Sequence, residues 1–206
     1  MQKQNRIRCR RRYEKVLVSI TGASGIRYGV RLLEVLRTHR CVASVDAIIT
    51  KSAISVAKHE EGIDLLRKIE DYADNIYHDD DMLAPYSSSS RAPDAMIIAP
   101  CSTKTLALIA HGIASTLTSR AALAVLRMKR TLIIVVREAP LGVIELENML
   151  RVARSGAIVL PASPGFYHKP KTIDDLVDFI VGKILDVLQI DHDLYLKWRK
   201  TDKALP

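Results

Sequence analysis

The stretch at residues 15–37 constrains the fold of this chain most strongly. It reads KVLVSI, then TGASG, then IRYGVRLLEVLR. The aliphatic, partly β-branched run at 16–20 predicts a short strand, and the apolar residues that recur with helical spacing across 30–36 predict a helix. Because only five small residues separate them, the stretch predicts a strand, a tight turn and a helix, in that order.

The small-residue turn at 21–25 is a candidate phosphate site. Where a helix begins, its first backbone N–H groups lack intrahelical partners and lie at the positive end of the helix dipole. Gly22 and Gly25 allow a sharp turn close to a ligand, and Ser24 can cap the helix or donate its hydroxyl. The glycine spacing fits neither a dinucleotide motif nor a P-loop, so an ordinary turn with Ser24 as N-cap is an equally good interpretation of these residues alone.

Length and cysteine content limit the class of protein. A chain of 206 residues with 48% apolar content suits one α/β domain with a full core. No segment has the apolar length needed to span a bilayer, which favours a soluble protein. Cys9, Cys41 and Cys101 are odd in number and form no C-x-x-C pair, so a reduced cytosolic setting fits better than secretion or structural zinc.

The net charge of +8 is concentrated at the N-terminus. Residues 1–15 contain seven lysines and arginines against one glutamate, and the rest of the chain is nearly balanced. Such a tail binds polyanions weakly at most, so specific nucleic-acid binding is not predicted. The predicted division is therefore a basic tail at 1–14, an α/β domain at 15–189 and a C-terminal tail at 190–206, in which Trp198 can anchor onto another surface.

Further strands follow the first one along the chain. Runs at 44–50, 95–99, 131–136 and 157–160 predict strands, and 74–81 predicts an edge strand with its loop. The helices between and after them are predicted at 52–59, 63–73, 106–112, 117–129 and 144–155, with a last long helix capped by Thr172 and Asp175. Asp174, Asp175 and Asp178 are interpreted as acids that stabilise the start of this helix rather than as metal ligands.

Polar residues follow several of these strands directly. Thr50 ends the second strand with no acidic residue for a ribose hydroxyl, which favours a mononucleotide over a dinucleotide. The strand at 95–99 leads into a second hydroxyl-rich turn at 102–105 that opens a helix. Two such ends in one parallel sheet converge on one crevice. Arg137 and Glu138 follow a third strand, at the position where α/β enzymes often have catalytic residues. A purely structural ion pair would give the same sequence pattern, so both interpretations remain open.

Seven segments in sequence order carry a resemblance to a known family. They are TGASGIRYGVRLL, TKSA with Glu60 after it, the serine loop before APDAMIIAPCSTKTLA, SRAALAVLR, VVREAPL, SGAIVLPASPGFYHKP and VDFIVGKILDVL. Together they resemble the UbiX-type flavin prenyltransferases, formerly labelled phenylacrylic acid or hydroxybenzoate decarboxylases. The resemblance runs from about residue 16 to residue 188, which is nearly the whole chain outside its tails.

The resemblance implies a fold, an activity and partners. The fold is a Rossmann-like, flavodoxin-related three-layer αβα domain with a parallel sheet, assembled into a cytoplasmic homo-oligomer that is commonly a dodecamer. The activity is the transfer of a dimethylallyl group from dimethylallyl phosphate to N5 and then C6 of reduced FMN, without a metal. The prenylated FMN then passes to a UbiD-type decarboxylase as its cofactor.

The resemblance also implies roles for individual residues. The implied catalytic residues are Glu138, Glu60 and Ser24, with Glu138 as the general acid and base for proton transfer at the flavin. Cations and a phenol are expected around the leaving phosphate, where negative charge develops. The implied flavin-binding residues are Gly22, Ala23, Ser24, Thr50, Ser102, Thr103, Lys104, Thr105 and Arg137. The implied residues around the prenyl phosphate are Arg120, Arg127, Tyr167 and Lys183.

Departures from the family pattern keep two other interpretations open. Lys183 stands where arginine is frequent and Arg127 where lysine is frequent, which keeps the charge and changes its geometry. Ser89 replaces a usual glycine, and Met82 or Leu83 a usual aromatic residue. One alternative is a flavin-dependent cysteine decarboxylase, although such enzymes need a histidine near the first helix, where only His39 is found. The other is an FMN-binding or delivery protein without catalysis.

Overall fold

The computed structural model describes residues 9–198. Its centre is a six-stranded sheet in which all strands are parallel and the spatial order is β3, β2, β1, β4, β5, β6. The order reverses between β1 and β4, and α/β folds bind ligands beyond the carboxyl ends of the strands at such a switch point. The strands are β1 Val16–Ile20, β2 Val45–Ile49, β3 Asn75–His78, β4 Ala95–Cys101, β5 Thr131–Val136 and β6 Ile158–Pro161.

Helices cover both faces of this sheet. The β1 side chains divide between the two cores, with Val16, Val18 and Ile20 on one face and Leu17 on the other. The first core is closed by α1, α2, α3 and α7, and the second by α4, α5 and α6. The predicted three-layer αβα fold is therefore confirmed. The helices are α1 Arg27–Thr38, α2 Lys51–Glu61, α3 Leu65–Ile69, α4 Thr103–Ala110, α5 Leu117–Arg127, α6 Val143–Arg154 and α7 Ile173–Val187.

The sequence predicted the start of α7 correctly and the start of α1 incorrectly. The expected capping box of α7 is present, with Thr172 Oγ1 accepting from the Asp175 backbone N–H. The interpretation of Ser24 as the N-cap of α1 is wrong, because the cap position is Ile26 and no side chain caps this helix. The chain continues as a turn for two residues beyond Ser24, since Gly25 adopts a positive φ of 89° that delays the helix start.

Acidic residues at the start of α7 bind arginines of α1. Arg31 Nε donates to Asp178 Oδ1 at 2.7 Å, and Arg27 Nη1 lies 3.5 Å from Asp174 Oδ1. Within residues 9–198, no group of three or more His, Cys, Asp or Glu side chains is arranged to hold a metal ion. Through these two ion pairs, Asp174 and Asp178 link α7 to the neighbouring helix α1.

A disulfide joins the N-terminal segment to the loop after α1. Cys9 and Cys41 are bonded with their Cα atoms 5.5 Å apart, and Cys101 is a buried free thiol. The sequence predicts no disulfide among the three scattered cysteines, and this pair corrects that expectation. Spacing could not reveal it, because the pairing depends on the Tyr13 backbone N–H bonding to Cys41 O, which brings the two segments together. Much of the predicted basic tail lies outside the described residues.

The C-terminal segment returns along α7. Ile190 and Tyr195 are buried against the first core, so this part of the predicted tail packs on the domain. Trp198, predicted to anchor onto another surface, lies edge-on to Tyr167 of the same chain with ring centroids 5.5 Å apart. In the part of the chain that the structure covers, no helix combines the length and the apolar character that crossing a membrane requires.

Candidate functional site

The turns after β1 and β4 are joined at the switch point by one buried threonine. Thr21 Oγ1 donates to Pro100 O at 2.8 Å and accepts from the Ser102 backbone N–H at 2.8 Å. The side chain has no solvent exposure. Thr21 thus holds the end of β4 and the start of α4 against the small-residue turn, as the convergence of strand ends predicted.

Two helices begin at this edge with hydroxyl caps. Thr50 Oγ1 accepts from the Ala53 backbone N–H at 3.1 Å at the start of α2, and Ser102 Oγ accepts from the Thr105 backbone N–H at 3.3 Å at the start of α4. The preceding N–H groups of each first turn have no intrahelical acceptor and lie at the positive end of the dipole. The edge is therefore suited to a phosphate or another anionic group.

A cavity of about 400 Å³ opens between these helix starts. Its volume lies within the range of cofactor sites. Four predicted flavin-binding residues line it: Thr50, Ser102, Lys104 and Thr105. The lining residues that the sequence did not single out are Thr21, Lys51, Ser52, Asp79, Asp80, Leu108, Ser115 and Thr116.

Position after a strand was the available signal for the missed residues. Thr21 directly follows β1, Lys51 and Ser52 follow Thr50, and Asp79 directly follows β3. At the cavity rim, Lys51 Nζ lies 2.7 Å from Asp80 Oδ2, and this contact lowers the pKa of Asp80 and raises that of Lys51. Both side chains are highly exposed, so the pair adds little to stability.

The glycine turn and Glu60 meet at the same edge. A Cβ at Gly22 would overlap the Ser52 side chain, so only glycine lets this turn pack against α2. Glu60 Oε2 accepts from the Gly25 backbone N–H at 3.1 Å, which places this predicted catalytic carboxylate at the turn. Ala23 is buried, whereas Ser24 is half-buried and makes no side-chain hydrogen bond to other residues in 9–198. The Ser24 hydroxyl is thus available to a ligand.

Arg137 has an unsatisfied donor beside this edge. Its backbone N–H reaches Cys101 O at 3.5 Å, and its Nη1 lies 3.9 Å from Glu138 Oε1, a loose ion pair. Its Nε is buried and has no hydrogen-bond partner within the described chain. Burial raises the pKa of the nearby Tyr28 phenol, and the charge of Arg137 partly offsets this. A buried donor without an acceptor costs free energy, so a ligand oxygen fits this position.

Glu138 lies in the turn after β5 with its side chain exposed, and its Oε1 accepts from the Ala139 backbone N–H at 3.0 Å. It does not line the cavity between α2 and α4. The free thiol at this edge, Cys101, is fully buried, and burial raises its pKa far above the usual range. The Cys101 thiol is therefore unsuited to proton exchange with a bound ligand, whereas the Glu138 side chain is open to solvent.

The predicted phosphate residues form two groups on opposite faces of the sheet. Arg120 and Arg127 belong to α5, where Arg120 Nε donates to Ser87 O at 2.7 Å and Arg127 Nε to Leu123 O at 3.3 Å. Lys183 belongs to α7, and Tyr167 packs edge-on against Phe179 of that helix. Because α5 and α7 cover different faces, one chain does not bring the four side chains together.

Among the described residues no histidine lines the cavity, although His78 directly precedes Asp79, which does. His39 Nε2 lies 3.1 Å from Asp191 O, and His39 Nδ1 accepts from the Cys41 backbone N–H at 3.3 Å. This is the end of α1, at the opposite edge of the sheet from the Thr21 turn. His168 stacks on Phe179 with ring centroids 5.0 Å apart. The histidine near the first helix that a cysteine decarboxylase would need is therefore missing from the cavity.

Replacing Thr21 with valine is expected to destabilise the candidate site. The change keeps the shape of the side chain and removes the acceptor of the Ser102 N–H and the donor to Pro100 O, which costs about 1–3 kcal/mol for a buried group. We expect a lower free energy of unfolding by urea denaturation, together with weaker FMN binding. Threonine to serine at this position is the matched control, because it keeps the hydroxyl, and it should retain FMN binding.

Comparisons with known proteins agree with this geometry. The sequence profile of the flavoprotein family matches residues 5–185. Flavin prenyltransferase UbiX of Saccharolobus solfataricus is 47% identical over 192 residues, which cover 92% of this chain and 94% of that protein.

Solved structures support the same assignment. The crystal structure of AnUbiX (PadA1) in complex with FMN and dimethylallyl pyrophosphate superposes with a TM-score of 0.86 at 38% identity, covering 94% of this chain and 100% of that one. A dodecameric FMN-dependent UbiX-like decarboxylase from Escherichia coli O157:H7 gives a TM-score of 0.85 at 39% identity, covering 90% and 99%. The chain therefore belongs to the flavoprotein family, within its UbiX flavin prenyltransferase branch.

Proposed function

We propose that this chain is a flavin prenyltransferase, which transfers a dimethylallyl group from dimethylallyl phosphate to N5 and C6 of reduced FMN. The observation that carries the proposal is the cavity at the switch point of the sheet, between the hydroxyl-capped starts of α2 and α4. It has the position and the donors that a mononucleotide phosphate requires. Membership of the UbiX branch supports FMN as that mononucleotide.

The flavin would be held by residues of three strand ends. Ser102, Thr103, Lys104 and Thr105 supply the helix start and one positive charge for the FMN phosphate. Gly22, Ala23 and Ser24 of the turn after β1 would contact the flavin beside Thr50, which alone of these four lines the cavity. The Nε of Arg137, which has no partner in the described chain, would donate to an oxygen of the bound ligands. Two carboxylates also line the cavity, and both have partners: Asp79 Oδ1 accepts from the Thr118 backbone N–H at 2.9 Å, and Asp80 pairs with Lys51.

Glu138, Glu60 and Ser24 are the proposed groups that touch the reacting atoms. First the allylic C–O bond of the donor breaks, phosphate leaves with the electron pair, and the freed allylic carbon bonds to N5. A proton then adds to the remaining C=C bond, the resulting tertiary carbon bonds to C6, and the C6 proton is lost. The N5 and C6 protons must be accepted, and an exposed carboxylate such as Glu138 can take and return a proton. Glu60, fixed by the Gly25 N–H, would supply negative charge close to the first turn.

The donor phosphate site would be completed by more than one copy of the chain. Arg120 and Arg127 lie on the opposite face of the sheet from Tyr167 and Lys183, so neighbouring copies must supply the missing half. A homo-oligomer, as in the dodecameric relative from Escherichia coli, would provide it. Four aliphatic side chains of α6 are exposed in the single chain and would be covered by such contacts: Val143, Ile144, Leu146 and Leu150.

The proposal extends to the fate of the product. Prenylated FMN would pass to a UbiD-type decarboxylase as its cofactor. Because the acceptor is reduced FMN, the proposed setting is the cytoplasm. The exchange of Lys183 and Arg127 relative to the usual family pattern leaves the number of positive charges unchanged, so it supports donor binding and gives no reason to prefer a purely FMN-delivering protein.

Anaerobic incubation tests the proposal directly. The purified protein, reduced FMN and dimethylallyl phosphate are expected to yield a flavin whose mass equals FMN with one added prenyl group, and a parallel incubation uses dimethylallyl pyrophosphate as donor. Product with either donor identifies which phosphate is accepted. Tight FMN binding with no prenylated product from either donor would instead identify a non-catalytic FMN-binding protein.

A further inference from the structure

The Lys183 ammonium group lies between two aromatic rings. Its Nζ is 5.2 Å from the ring centroid of Phe179 and 5.0 Å from that of Tyr195. None of the carboxylates in residues 9–198 forms an ion pair with it. Cation–π attraction to these rings is therefore the direct interaction that orients this charge.

The ring of Tyr195 fits against α7 at a glycine. A Cβ at Gly182 would lie 2.5 Å from Tyr195 Cε1 and 2.7 Å from His192 Cε1, so the ring occupies space that any other residue would fill. Tyr195 is only 7% exposed, and its ring centroid is 4.8 Å from that of Phe179. The C-terminal segment thus places an aromatic ring beside the residue that precedes Lys183.

Asp186 fixes the orientation of this ring. Tyr195 OH donates to Asp186 Oδ2 at 2.5 Å, while His192 Nε2 and Lys197 Nζ lie 3.2 Å and 2.6 Å from Asp186 Oδ1. Burial opposes ionisation of Asp186, but hydrogen bonds from Lys197 and Tyr195 outweigh it and hold the pKa of Asp186 below its usual value. Asp186 is one helical turn from Lys183, so it locks Tyr195 where the ring meets the ammonium.

We propose that Tyr195, fixed by Asp186 and Gly182, is a positioning residue that holds the Lys183 ammonium for the donor phosphate. This rests on the proposed function, in which Lys183 binds that phosphate. A lysine is a point charge on a flexible stem, whereas the arginine common at this position in the family has a rigid fork. The rings of Phe179 and Tyr195 restrict the Lys183 side chain, and this restriction compensates in part for the rigidity that an arginine would have had.

Donor kinetics of the Tyr195→Leu protein test the proposal. Loss of the ring quadrupole is expected to raise the KM for dimethylallyl phosphate about fivefold, while kcat and the Kd for FMN stay within about twofold of the unchanged protein. Tyr195→Phe keeps the ring and is expected to restore most of the donor affinity. A Tyr195→Leu protein with unchanged KM, or with KM and FMN affinity altered together, would overturn the proposal.

A double-mutant cycle separates this inference from the proposed function. Lys183→Ala should raise the donor KM, and adding Tyr195→Leu to it should raise KM no further, since both changes remove one interaction. If Lys183→Ala leaves KM unchanged, the assignment of Lys183 to the donor phosphate fails. If Lys183→Ala raises KM and Tyr195→Leu multiplies that effect, Tyr195 acts independently of Lys183 and the inference fails.

A measurement that needs no turnover tests the proposal even if the purified protein is inactive. Amine acetylation of the FMN-bound protein, followed by peptide mass analysis, reports how far the rings cover Lys183. Tyr195→Leu should accelerate acetylation of Lys183 several-fold and leave exposed Lys58 unchanged. Equal acetylation of Lys183 in both proteins would show that the ring does not hold the ammonium.

Discussion

Replacing Glu138 with glutamine is expected to lower the rate of prenyl transfer by roughly 10²- to 10⁴-fold, the usual contribution of a general acid–base group. Glutamine has the same shape and can still accept from the Ala139 N–H, which in the present structure bonds Glu138 Oε1 at 3.0 Å. Its amide cannot take up or return a proton at neutral pH. The turn should therefore keep its conformation while proton transfer at the flavin fails.

Separate measurement of binding and turnover checks this expectation. FMN affinity, measured by quenching of flavin fluorescence, should change little, because glutamine keeps the shape of Glu138 and its hydrogen bond from the Ala139 N–H. Prenylated FMN is then quantified by mass analysis in single-turnover reactions. Glu70→Gln is the matched control, since Glu70 is an exposed glutamate at the end of α3, outside the helix proposed for oligomer contacts. Equal rates for the Glu138 variant and the control would remove Glu138 from the catalytic role.

The sequence predicted the sheet well because its four central strands, β1, β2, β4 and β5, are buried on both faces almost throughout. Such strands show as continuous aliphatic runs, and all six strands of the sheet lie within or next to the predicted ranges. Where burial is weaker, the prediction was less accurate: a helix expected at 63–73 is formed only at Leu65–Ile69. Local signals were also sufficient for the cap of α7, because Thr172 and Asp175 contact each other within one turn.

The candidate site was predictable only where it follows a strand locally. Thr50 and Ser102 were found from their positions at helix starts, and the cavity confirms that they share one edge. The role of Thr21 depends on its hydrogen bonds to Pro100 and Ser102, about 80 residues away in the chain, and a local sequence pattern cannot predict such contacts. The same is true of Tyr195, whose place is set by a glycine of another element.

Long-range contacts also explain the disulfide, and opening it is expected to have the second largest effect. Its two cysteines are 32 residues apart, and loop-closure entropy for a loop of this length corresponds to about 4 kcal/mol. The segment it fixes also supports the end of α7, since Tyr13 OH donates to Leu188 O at 2.9 Å and Arg10 pairs with Asp191 at 3.4 Å. Reduction should lower the melting temperature by roughly 10 °C.

Thermal unfolding with and without a reducing agent measures this effect. Trp198 is the single tryptophan of the chain and lies against Tyr167, so its fluorescence follows the C-terminal segment as the segment detaches. Cys41→Ser should melt at the temperature of the reduced protein, and a reductant should change it no further, because Cys101 is already a free thiol. A protein that has three free thiols before reduction would contradict the disulfide itself, and one that melts equally with and without reductant would contradict its stabilising role.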